Sequence, residues 1–193
     1  NDNAEVEAYI AEARFLRAFA YFNLMDLFGS VPLVTVVSTD LPEQSTRTEI
    51  FNFVEGELLE IQNTLKESGA NEYGRVDRVA AWALLSKLYL NAEVWTGTER
   101  YTDAITYAEM AINSSYSINT TDANGNGSAY DELFLADNNS NGAQNEFIFA
   151  LNFDGNNSRT YGGTTFLVHA AIGGSMDAFN FGVNGGWSGL RTT

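Results

Sequence analysis

Residues 12–34 read EARFLRAFAYFNLMDLFGSVPLV, and this stretch decides the fold. Leu16, Ala20, Leu24 and Leu27 recur at helical spacing, while Phe15, Phe19, Phe22 and Met25 make a second stripe beside them. Two apolar stripes on one helix predict packing on two sides. That is the situation of a helix inside a layered helical stack, because an isolated surface helix would leave one stripe in water. The helix is expected to stop abruptly at Gly29 and Pro32.

Working outward, a second helix is predicted from about Glu49 to Lys66, with Ile50, Val54, Leu58, Ile61 and Leu65 on one face and Gly69 as terminator. A third begins behind Asp77 as N-cap, carries Ala81, Leu84, Leu85, Leu88 and Ala92, and ends at Gly97. The fourth runs from about Thr102 to Asn113 and presents Ala104, Ala108, Ala111 and Ile112 to a close neighbour. Trp82, Leu85, Ser86 and Tyr89 reproduce the spacing W-x2-L-small-x2-Y of a tetratricopeptide helix, and the alanines of the fourth helix fit its partner. Past Ser117 the composition changes. Gly and Asn become dense and aromatics fall in short alternating runs, so residues 1–117 are expected to form a tetratricopeptide-like scaffold of stacked antiparallel helix pairs. Residues 118–193 are expected as a loop-rich part packed on it, with one or two short strands. Glu146 to Asp154, EFIFALNFD, alternates as a strand or extended segment lying over the helices. Thr165 to Ala170, TFLVHA, reads equally as strand or buried turn.

Composition excludes several function classes. The formal charge is −15, from 25 acidic and 10 basic residues, and the basic ones form no run, so a phosphate backbone would be repelled and nucleic-acid binding is not expected. No cysteine is present, which removes disulfides and thiolate metal sites. Apolar runs fall far short of the roughly 20 residues of a membrane-spanning helix. The polar NDNAEVEAY start and the Gly-rich GWSGLRTT end favour an internal part of a longer polypeptide.

The residues with chemical promise are aromatic. Tyr161 in RTYGGTT and Trp187 in NGGWSGL stand among glycines, where no neighbouring side chain shields a ring, and Asn156, Asn157, Arg159 and Asn184 are close in sequence. A carbohydrate site needs such open ring faces beside amide or charged hydrogen-bonding groups. The same rings could instead fold back over the helical core. Asp122 to Gly127, DANGNG, matches the first half of a calcium loop, but position twelve is Leu133 with Glu132 one residue early; DNNSNG at 137–142 repeats the half-match, so both also read as turns. His169 is the only histidine and sits in an apolar run, which suits a hydrogen-bonded, half-buried imidazole better than a metal ligand or base. No nucleophile elbow is present, and with 25 acidic residues some pair always exists, Asp131 with Glu132 or Asp154 standing out only by its company, so no catalytic residue is assigned. Arg14 and Arg17 with Glu12 and Asp26 read as a solvated or interhelical ion-pair face.

Five blocks in order carry a family resemblance: EARFLRAFAYFNLMDLFGSVPLV, YGRVDRVAAWALLSKLYLNAEVW, YTDAITYAEMAI, YDELFLADN with NEFIFAL, and GWSGLRTT. Together they resemble the SusD/RagB family of outer-membrane glycan-binding lipoproteins. The resemblance implies a stack of irregular tetratricopeptide units and a noncatalytic protein on the extracellular face of the outer membrane. It further implies a lipid anchor outside these residues, a polysaccharide or oligosaccharide ligand, and delivery to a SusC-type TonB-dependent transporter. TYGGTTFLVHA is similar to the stretch of starch-binding members that supplies a stacking ring, which tilts the ligand toward an α-glucan and makes Tyr161, with Trp187, Asn157 and Arg159, the expected contacts. No cofactor is implied, calcium at the Asp/Asn/Gly loops remaining the one alternative. The rival reading, from residues alone, is a helical-repeat scaffold that grips a protein partner.

Overall fold

The computed structural model describes residues 2–153, 157–158 and 164–189. They form two compact units, Asn1–Ala150 and Leu151–Thr193. The first contains helices α1 (Asp2–Phe28), α2 (Arg47–Ile61), α3 (Arg78–Leu90), α4 (Ala92–Thr96) and α5 (Tyr101–Ile112); the second contains α6 (Thr164–Ala170). Mainly helical architecture is as the sequence predicts.

Side-chain pairs fix the helix directions in the first unit. Arg14 meets Glu60 and Tyr21 meets Phe53, so α1 and α2 run antiparallel. Trp82 donates to Gln62 while Tyr89 reaches Glu55, which reverses α3 against α2. Ser86 donates to the carbonyl of Ala104 while Tyr116 reaches back to Asp77, which reverses α5 against α3. The core follows the predicted register: Ile50, Val54, Leu58, Ile61, Leu65, Ala81, Leu84, Leu85, Leu88 and Ala92 are all buried. Burying each valine, leucine or isoleucine among them stabilises by about 1.5–3 kcal/mol.

Helix ends obey their local chemistry. Thr46 and Glu49 form a reciprocal capping box at α2. Asp77 caps α3 through the amides of Val79 and Ala80, and its other oxygen accepts from the Gly69 amide and the Tyr116 hydroxyl. The predicted run from Asp77 to Gly97 is in fact two helices, because the Asn91 side chain donates to the Lys87 carbonyl and breaks the ladder; Gly97, at φ 78°, closes the second. Helix α2 ends at Ile61 rather than Lys66, in a turn that still buries Leu65.

Three further expectations are corrected. On α1 the packed stripe is Ala8, Ala11, Phe15, Ala18, Phe22 and Met25, whereas Leu16, Leu24 and Leu27 are exposed, Leu27 at 72%. The helix is therefore covered on one side among the described residues. No strand forms over the described part of EFIFALNFD, which lacks a partner ladder; within the first unit, residues 146–150 form a loop against the helices, with Phe149 edge-on to Phe15 and Phe19 at 5.6 and 6.0 Å. Thr164–Ala170 is α6 and not a strand or turn. A short apolar run has no period of its own, so tertiary context chose the helix.

The two arginines on α1 are interhelical. Glu57, only 7% exposed, takes Arg14 on one oxygen at 2.6 Å and Arg17 on the other. Burial opposes its charge, but the hydrogen bonds from both guanidinium groups outweigh that and hold its pKa below the ordinary glutamate value. Glu12 similarly receives Arg75 at 2.7 Å.

Candidate functional site

The second unit builds the environment of Trp187 from backbone. The last carbonyls of any helix lack intrahelical partners. Here the turn after α6 and its last residues are met by three successive amides: Trp187 donates to the His169 carbonyl at 2.8 Å, Ser188 to Ile172 at 3.0 Å and Gly189 to Ala170 at 3.0 Å. Two chain segments this close leave no room for a Cβ. One added at Gly186 would stand 2.4 Å from the Ile172 carbonyl oxygen, and one at Gly173 would stand 2.9 Å from the Ser188 Cα. Glycines beside Trp187 thus do more than leave its ring unshielded; they let its loop clamp the helix end.

On that clamp the indole stacks against the His169 imidazole, with centroids 4.8 Å apart and planes 19° from parallel. His169 is half-buried, and its Nδ1 lies 2.7 Å from the Gly185 carbonyl. A carbonyl only accepts, so Nδ1 carries the proton and the ring is held as a fixed floor. Trp187 remains 44% exposed. One ring face rests on protein and the other part of the indole meets solvent. Within the same unit Phe166, Phe179 and Phe181 are also exposed.

Of the other expected contacts, Tyr161 and Arg159 lie outside the described residues, as does Asn156. Asn157 is exposed at a bend. The floor role of His169 was not legible as such; the sequence signal was the one histidine inside the apolar run preceding the glycines.

The Asp/Asn/Gly loop is a closed turn. Asp122 accepts from the amides of Gly125 and Asn126 on one oxygen and from Gly127 on the other, at 2.8–3.1 Å. Glu132, 1% exposed, accepts from the Asn124 amide and the Asn141 side chain. Amide protons directed at these oxygens occupy the lone pairs a cation would need. Among the described residues no group of three or more His, Asp or Glu side chains converges as a metal site.

Comparison with known proteins adds a family. A family model described as "Starch-binding associating with outer membrane", of the SusD-like type, matches residues 1–90. The starch-binding protein SusD of Bacteroides thetaiotaomicron is 39% identical over 187 residues, covering 96% of this chain and 32% of that protein. Over nearly its whole length the chain is similar to part of that SusD protein. It spans about a third of that relative's length. Among solved structures, a SusD-like protein from Bacteroides fragilis has the same fold with a TM-score of 0.62 at 24% identity, over 78% of this chain and 28% of that one. A protein described as a laminarin-binding SusD-like protein gives a TM-score of 0.52 at 25% identity, over 58% of this chain and 24% of its own.

Proposed function

We propose that this chain belongs to a SusD-like, noncatalytic protein that binds an extracellular oligo- or polysaccharide at the outer membrane and hands it to a SusC-type TonB-dependent transporter. The observation that carries the reading is the indole of Trp187, backed by His169, locked by a backbone clamp and 44% open. Sugars present flat C–H patches rimmed by hydroxyls, and a pre-oriented ring meets such a patch without an ordering cost. Tyr161 is proposed as the second ring, and Asn157 and Arg159 as hydrogen-bonding partners. Support for a starch-like α-glucan comes from the 39% identical relative, whose name says that it binds starch.

The test is electrophoresis of the whole protein through gels containing starch, laminarin or inulin. Retardation by starch above the other polymers is the expected result, with no reducing ends released from the polymer. A protein that no polysaccharide retards would refute the reading. The alternative, a helical scaffold for a protein partner, draws on the exposed Leu16, Leu24 and Leu27 stripe of α1, and it predicts no polysaccharide retardation at all.

A further inference from the structure

The first unit holds a cavity of about 310 Å³ between the α2–α3 loop and the segment 144–150. That volume is at the low end of small-molecule sites. Tyr73, Glu72 and Arg75 line it on one side and Gln144, Asn145 and Phe147 on the other.

Both walls are held by hydrogen bonds. Asn71 ties its loop down by donating to the Val76 carbonyl at 2.7 Å and to Glu12 at 3.0 Å, while Arg75 gives two N–H bonds to the same Glu12. Opposite, the Gln144 side-chain oxygen accepts from the Gly142 amide at 2.8 Å, and the Asn145 side-chain nitrogen donates to the Gly142 carbonyl at 3.1 Å. Those bonds fix the amides and leave valences over. The Gln144 amide nitrogen, the Asn145 amide oxygen, the Tyr73 hydroxyl and the Glu72 carboxylate have no hydrogen-bond partner among the described residues and, Gln144 being half-buried and the other three exposed, are open to solvent or to a ligand.

The chemistry of the lining selects the ligand class. An anion would find one cation, Arg75, already neutralised by Glu12, beside the free carboxylate of Glu72. A wholly apolar ligand would leave the fixed amides unpaired, at a penalty of about 1–3 kcal/mol each. A neutral polyol with C–H faces meets both the aromatic side chains and the spare donors and acceptors.

We propose that this cavity is a saccharide subsite in its own right, holding one or two hexose units through Tyr73, Glu72, Gln144 and Asn145. It uses none of the residues around Trp187. The inference rests on the reading that the protein's ligand is a glycan, and the experiment separates the two.

Maltose and laminaribiose are titrated calorimetrically into the whole protein carrying Trp187→Ala, which removes the other ring. One disaccharide is expected to bind with a stoichiometry of one. In that background Tyr73→Phe, which removes only the hydroxyl, and Gln144→Glu, which keeps the oxygen that accepts from Gly142, are each expected to weaken binding about threefold to tenfold. Affinities within twofold of the parent in both variants overturn the assignment. So does a folded Trp187→Ala protein that binds neither disaccharide, while retardation of the unsubstituted protein by a polysaccharide gel keeps the glycan reading intact. If the unsubstituted protein binds neither polymer nor disaccharide, the glycan reading fails and this subsite with it.

Discussion

Replacing Trp187 by alanine puts the glycan reading to its sharpest test. The indole is 44% exposed, and a tryptophan side chain offers up to about 250 Å², so roughly 110 Å² stands open. A pyranose laid on it covers about half of that, some 55 Å² of ring, and at about 25 cal/mol per Å² this is roughly 1.4 kcal/mol; the matching C–H face of the sugar raises the total toward about 2.8 kcal/mol. Affinity should therefore fall about tenfold to a hundredfold. Trp187→Phe keeps a smaller ring over His169 and should recover part of the loss. Loss of the His169 stack removes about 0.5–1.5 kcal/mol of stability, which for a domain of this size is a fall of only a few degrees in melting temperature. The clamp itself is backbone and needs no indole. The assay is calorimetric titration with maltoheptaose beside a melting curve for each variant. An affinity within threefold of the parent, in a variant whose fold is intact, would refute the stacking reasoning. A melting temperature lowered by more than about 8 °C would show instead that the ring is a core element.

Three other expectations concern the elements that hold the molecule in shape. Gly186→Ala drives a methyl to 2.4 Å from the Ile172 carbonyl oxygen, so the clamp must open at a cost of about 1–3 kcal/mol; indole fluorescence should shift as Trp187 leaves His169, and unchanged emission would contradict the close approach. Glu57→Ala leaves Arg17 without its carboxylate and Arg14 with Glu60 alone, and the two arginines remain 37% and 28% exposed and can rehydrate, so denaturant melts should show a loss of about 1–3 kcal/mol and not the 3–5 of a fully buried pair. Because the Glu57 pKa is lowered in the fold, its stabilisation is complete above the ordinary glutamate value of about 4.3 and disappears as pH falls through the lower folded value, so the gap between wild type and Glu57→Gln should close on acidification below that point. Asp77→Ala removes the cap of α3 and the partner of Tyr116 together, for about 2 kcal/mol or more, while Tyr116→Phe should lose about 1 kcal/mol by thermal denaturation.

The helical register was legible because burial repeats with the helix. Ile50, Val54, Leu58 and Ile61 announce their shared face at spacings of four, four and three, and all are buried. Asp77 was legible as a cap because its short carboxylate is suited to the amides two and three residues on. What failed was the inference from an apolar stripe to a covered one. Leu16, Leu24 and Leu27 carry the same period as the buried stripe of α1, and periodicity states only that a face is apolar, not what lies against it. The split at Asn91 was hidden for a different reason: it depends on one side chain choosing the Lys87 carbonyl over solvent, a competition that propensity does not decide.

At the candidate site, sequence distance and spatial distance part company. Trp187 was found because glycines flank it, yet the reason glycine is needed at 186 lies at Ile172, and the reason it is needed at 173 lies at Ser188. Each glycine serves the other segment, so neither segment read alone reveals the clamp. The same holds for the cavity of the first unit, where Tyr73 and Gln144 line one space from positions 71 residues apart and neither segment by itself shows the other. Rings, amides and glycines in a loop are therefore weak evidence singly; they point to a ligand only where the fold turns them from separate segments toward one hollow.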